Sequence, residues 1–122
     1  MNTKCLQGLP QTVKIWLLRH EVWLVGSAVE YYLDGSDSEP KDIDLLVPPN
    51  QWQAVCQLID WKVPVLLNSF GGLKIVIDGK TIDLWPQHLE DFLAVRAGSI
   101  PCERVARFNP FTVLDISRDR YY

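Results

Sequence analysis

The sequence predicts an α+β domain, an α/β sandwich in which a mixed β-sheet carries helices packed on it. Three observations predict it. Apolar residues alternate between helical spacing and short β-type runs along the chain. A run of adjacent strand signals falls in the middle, so the order is not a strict alternation of strand and helix. Of the 122 residues, 48% are hydrophobic, which suits one compact core. One domain is therefore expected over residues 1–122.

The elements follow in order. After Pro10, an amphipathic stretch carries Val13, Trp16 and Leu17 on one face and ends near His20. Val22–Val25 is a short β-type run that Gly26 interrupts. Ala28, Val29, Tyr32 and Leu33 mark the face of a second helix. Gly35–Pro40 is polar and turn-rich, a loop. Asp42–Val47 is the next strand, stopped by Pro48 and Pro49. Asn50 is expected to cap a helix whose stripe is Trp52, Val55, Cys56 and Ile59.

Val63–Leu67 reads as a strand and Gly71-Gly72 as a turn. Leu73–Ile77 and Thr81–Trp85 flank Asp78-Gly79-Lys80, a hairpin signal, because Asp-Gly favours the turns that match strand twist. Glu90 and Asp91 open a helix whose dipole they complement. Leu89, Phe92 and Leu93 form its stripe, and Gly98 lies near its end. Arg104–Phe108 and Thr112–Ile116 form a last β pair around Asn109-Pro110. The charged tail Ser117–Tyr122 is expected to be mobile.

Composition narrows the function. The net charge is −3, whereas tight binding to a nucleic-acid backbone comes from a basic surface. No extended nucleic-acid footprint is expected, although Arg96, Arg104, Arg107, Arg118 and Arg120 crowd the last quarter. Cys5, Cys56 and Cys102 form no C-x-x-C pair, and there are two His residues, His20 and His88, both expected at the surface. That spacing fits neither a zinc site nor a disulfide framework, and an odd count fits a reducing compartment. Met1–Pro10 lacks the pattern of a signal peptide. No apolar run approaches the ~18 residues of a membrane span. A soluble, cytoplasmic protein with no membrane contact is expected.

Three features carry chemistry. Gly26-Ser27 falls where a strand joins a helix. Glycine permits close backbone approach, and the first N–H groups of a helix attract phosphate. By itself the dipeptide reads more readily as a plain turn than as a phosphate site. Asp42 and Asp44 stand at i and i+2 of a strand, so both carboxylates project from one face. Like charges so placed raise each other's pKa unless a cation sits between them, and oxygen ligands suit Mg²⁺ or Mn²⁺. Solvation at an edge is the other way to keep them. Asp83 is a third carboxylate in an apolar strand, with Thr81 and Trp85 on its face and Ile82 and Leu84 opposite. Alone it reads as a salt-bridged or edge residue.

Together the three carboxylates suit two cations ~3.5–4 Å apart that polarise a hydroxyl and stabilise leaving pyrophosphate. Lys41 and Lys74 are either solvated or near a triphosphate. The five Trp residues read as core, with stacking on a base an option for Trp85.

Trp23-Leu-Val-Gly-Ser-Ala-Val29, Leu33, Gly35 and Glu39-Pro-Lys-Asp-Ile-Asp-Leu-Leu-Val47 resemble the head domain of tRNA CCA-adding enzymes and bacterial poly(A) polymerases, within the DNA polymerase beta-like nucleotidyltransferase superfamily. The likeness is looser over Leu73–Trp85. It implies that Gly26 and Ser27 hold a nucleoside triphosphate. It implies that Asp42 and Asp44 bind both metals, Mg²⁺ or Mn²⁺, and that Asp83 completes the set. The expected activity moves an NMP, AMP before others, from NTP to a hydroxyl on a protein, RNA or small molecule. A protein partner or second subunit is expected to supply part of the acceptor site.

Two departures stand out. Glu30-Tyr31 occupies the place of the family's arginine–aspartate pair, and Arg96–Arg104 that of its Arg-Arg-Asp-Phe signature. They leave open a catalytically weak or inactive nucleotide- or partner-binding module, for example a toxin–antitoxin component. CCA addition is not carried over.

Overall fold

The computed structural model describes residues 9–19, 22–26, 28–29, 31, 42–59, 65–67, 71–96, 113–118 and 120–122. Helix α1 spans Gln11–Arg19. Strand β1 is Trp23–Val25 and β2 is Asp42–Val47. A 3₁₀ turn, Pro49–Gln51, leads into α2, Trp52–Cys56. Then come β3 (Val65–Leu67), β4 (Leu73–Ile77), β5 (Lys80–Pro86), α3 (Leu89–Arg96), β6 (Leu114–Asp115) and β7 (Arg120–Tyr121). Ala28, Val29 and Tyr31 are also helical.

The strands form one sheet in the order β3-β4-β5-β2-β1-β6-β7. It is mixed, as expected: β2 and β5 run parallel at its centre, and the remaining pairs are antiparallel.

Period-two alternation divides the sheet into two faces. Leu24, Ile43, Leu45, Ile75, Ile82 and Leu84 point to one face and are buried there. Val13, Trp16 and Leu17 of α1 pack on them with Ala28, Val29 and Val55. Trp16 Nε1 donates to the Val55 carbonyl at 3.1 Å, so α1 and α2 meet without stranding a buried donor. Trp23, Val25 and Leu46 point to the opposite face and cluster with Phe92 and Val113. Trp85, Leu89, Leu93 and Tyr122 pack against that cluster. Helix α3 thus lies over the second face near the ends of β2 and β5. Nearer their starts, the same face carries the acidic residues.

The hairpin forms at the expected place. Asp78 (φ 51°) and Gly79 (φ 77°) both take positive φ, as a two-residue turn matched to strand twist requires. Asn50 is not the helix cap. It lies within the 3₁₀ turn, closed by Gln51 N–H to the Pro48 carbonyl at 2.8 Å, and Gln51 takes the cap position without a side-chain bond. Pro48 and Pro49 pre-set the chain for that tighter turn. Helix α2 is correspondingly short, yet Val55 and Ile59 of the expected stripe are buried.

The tail expected to be mobile contributes a strand instead. Leu114 pairs with Tyr121 and Asp115 with Arg120. Val113 and Tyr122 exchange both backbone hydrogen bonds, at 3.0 and 2.7 Å. Local charge suggested solvation, but Tyr122 packs against the second cluster, and β6 offers unpaired backbone that β7 satisfies.

Tyr32, Leu33, Gly35–Pro40, Gly98 and Arg104–Phe108 lie outside the described residues, as do Ser27, Glu30, Lys41 and His20. Among the described residues, no helix is long and apolar enough to cross a membrane.

Candidate active site

Two strand pairings assemble the site. In the parallel β2–β5 pair, Asp42 lies opposite Thr81 and Asp44 opposite Asp83. In the antiparallel β4–β5 hairpin, Lys74 lies opposite Asp83. In the β1–β2 pair, Val25 lies opposite Asp44. Directly paired residues point to the same face. Val25, Asp44, Asp83 and Lys74 therefore stand abreast on four neighbouring strands, with Asp42 and Thr81 one step along. The common face expected for Asp42 and Asp44 is present, and the parallel register sets Asp83 beside them.

Gly26 follows β1 and meets Asp44. Its φ is +76°, and a Cβ built there would lie 2.8 Å from Asp44 Oδ2. Glycine is needed twice over, for backbone conformation and for the room the carboxylate occupies. The Val29 N–H bonds to the Gly26 carbonyl at 3.1 Å, so the chain turns straight from β1 into helical residues. Ser27, the expected partner of Gly26, lies outside the described residues.

Burial shapes the electrostatics. Asp44 is half-buried, and Trp85 Nε1 donates to its Oδ1 at 3.0 Å. Its pKa is pushed up to about 6, chiefly by loss of water. The indole bond opposes that shift, the Asp83 and Asp42 charges add to it, and Lys74 opposes it. Asp83 is 5% exposed. Burial raises its pKa too, with Lys74 acting against the shift and Asp42 with it. Among the described residues, Asp83 Oδ1 has no hydrogen-bond partner, and Lys74 Nζ approaches it at 3.9 Å. Asp42, at the strand start, is exposed.

The donor chemistry suits a hard divalent cation: carboxylate oxygens, two of the groups destabilised as anions by burial, and Asp83 Oδ1 buried without a hydrogen bond among the described residues. The three carboxylates do not close into a metal-sized cluster among the described residues. A lysine stands against Asp83 and an indole against Asp44.

The sequence reading missed two roles. Trp85 is a hydrogen-bond donor to Asp44, a role that its i+2 spacing from Asp83 permits without specifying. Lys74 is the cation of the row. Its signal was present, because a two-residue Asp78-Gly79 loop pairs Ile77 with Lys80, and counting back three on each strand sets Lys74 against Asp83.

No protein-family model matches the chain, and no curated protein does. Among solved structures, "The complex structure of CCA-adding enzyme with ATP" is similar, with a TM-score of 0.50 and 19% identity. The match covers 79% of this chain and 26% of that one, so the chain spans about a quarter of its neighbour's length. At such identity the likeness is one of fold: this chain has an α+β, nucleotidyltransferase-like fold with its acidic row on one face of the sheet.

Proposed function

We propose that the domain is a metal-dependent nucleotidyltransferase that moves a nucleoside monophosphate, AMP before others, from NTP to a hydroxyl acceptor. The observation that carries this is the pairing of Asp44 and Asp83 on adjacent parallel strands, with Gly26 shaped around the Asp44 carboxylate. A buried pair of like charges is costly to a fold, and cation binding gives it a purpose.

Asp42, Asp44 and Asp83 would hold Mg²⁺ or Mn²⁺, which when bound neutralises triphosphate charge and makes the acceptor hydroxyl a better nucleophile. The chain's own groups do the rest. Gly26 and Ser27, where the sequence passes from β1 to helical residues, would offer backbone N–H groups to the phosphates. Trp85 holds Asp44 in one orientation. The acceptor oxygen bonds to the α-phosphorus, the bond to pyrophosphate breaks, and the hydroxyl proton passes to the carboxylate set, in which Asp83 Oδ1 has no hydrogen-bond partner among the described residues. The acceptor hydroxyl would belong to a protein, RNA or small molecule, with part of its site supplied by a protein partner or second subunit. Calorimetric titration with ATP and Mn²⁺ tests this. Binding is expected for the wild type and its loss for Asp44→Asn and Asp83→Asn; equal traces for all three would refute it.

Alternatively, the domain binds nucleotide or a partner without turnover. The Lys74–Asp83 ion pair at 3.9 Å favours this, since a cation already serves the acids. Transfer of labelled nucleotide onto co-purified material, lost in Asp44→Asn, would eliminate it.

A further inference from the structure

We propose that Lys74 holds the divalent cation's place in the bare protein and passes to the triphosphate when a metal–nucleotide complex arrives. The inference rests on the carboxylates binding the metal as proposed above.

Strand register brings Lys74 here. It is level with Asp83 and Asp44 on adjacent strands, and its Nζ lies 3.9 Å from Asp83 Oδ1. The distance is an ion pair without a hydrogen bond, and that oxygen has no hydrogen-bond partner among the described residues. The contact is therefore electrostatic and easily exchanged. Lys74 opposes the upward pKa shift of both Asp83 and Asp44, so its charge serves the pair.

The Lys74 side chain is 44% exposed and that of Asp83 7%, so the ammonium keeps much of its water while the carboxylate it faces is buried. Beyond Lys74, its β3 neighbour Leu66 is exposed and apolar, so among the described residues that strand offers the ammonium no second acid.

Charge arithmetic gives the consequence. A divalent ion at the carboxylates repels an ammonium a few ångströms away. Lysine is a point charge on a flexible four-carbon stem and moves at little cost. The strongest anion then within its reach is the triphosphate. Lys74 thus weakens binding of metal alone and strengthens binding of metal with nucleotide, which couples the two ligands.

The test needs no turnover. Free Mn²⁺ is titrated by electron paramagnetic resonance against wild type, Lys74→Met, Lys74→Gln and Lys74→Arg, with and without a non-hydrolysable ATP analogue. Lys74→Met and Lys74→Gln are expected to bind Mn²⁺ alone about tenfold tighter and the analogue with Mn²⁺ about tenfold weaker, near the low end of couplings between sites. Lys74→Arg should resemble wild type. Unchanged or weaker Mn²⁺ binding in both neutral variants overturns the place-holding role, and unchanged analogue affinity overturns the transfer to phosphate. If neither wild type nor any variant binds Mn²⁺, the metal-dependent function itself fails, an outcome distinct from bound metal that ignores Lys74.

Discussion

Replacing Gly26 by alanine should both strain the backbone and displace Asp44, and the two costs are separable. Gly26 has φ +76°, where an L-residue costs about 1–2 kcal/mol. The new Cβ would stand 2.8 Å from Asp44 Oδ2, while Asp44 Cβ and Cγ, at 3.5 Å, are in ordinary contact. Only the carboxylate end must move. It does not rotate freely, because Oδ1 accepts the Trp85 indole at 3.0 Å. Moving it loosens that bond, for which about 1 kcal/mol is a fair net value. Gly26→Ala should therefore destabilise by about 2–3 kcal/mol in all.

In an Asp44→Ala background no oxygen stands in the way, and only the backbone cost of about 1–2 kcal/mol should remain. Urea unfolding of the four proteins, read as midpoint shifts at constant m, measures this as a double-mutant cycle. A coupling near zero would show that Asp44 does not rest against Gly26. A total loss below about 0.5 kcal/mol would refute the backbone argument as well.

Three other outcomes follow from the same site. Asp44 has its pKa raised to about 6 and Asp83 is raised as well. Such groups favour folding below their unfolded pKa and lose that contribution as pH rises through the folded value. Wild type should therefore lose stability relative to Asp44→Asn between about pH 4 and 7, and parallel pH–stability curves would contradict this. Trp85→Phe removes the bond that opposes the shift, so the Asp44 titration followed by carboxyl NMR should move to higher pH; a downward move would be contrary. Deleting Arg120–Tyr122 removes β7, two backbone bonds to Val113 and the packing of Tyr122. It should cost about 2 kcal/mol in a thermal or urea melt, and an unchanged midpoint would refute the docking of the tail.

Much of the fold was legible in local pattern. The i, i+3, i+4 stripe of Val13, Trp16 and Leu17 predicted α1 because those side chains must share one face. Asp78-Gly79 predicted the hairpin because few residues accept positive φ. The spacing of Asp42 and Asp44 put both on one face because the strand period is two. Where prediction failed, at Asn50 and the tail, the deciding partners were a proline turn and a distant strand.

Local pattern alone specified α1, the β4–β5 hairpin and the side of β2 and β5 that bears each carboxylate, since these depend on neighbours in the chain. Tertiary structure decided the rest. The parallel register of β2 and β5 sets Asp44 beside Asp83 across residues far apart in sequence. The same register puts the Trp85 indole on Asp44, and the close passage of Gly26 leaves the carboxylate its room. Local pattern encodes the direction of a side chain, whereas proximity between strands is set only when the whole sheet closes its hydrogen bonds and buries its two apolar clusters.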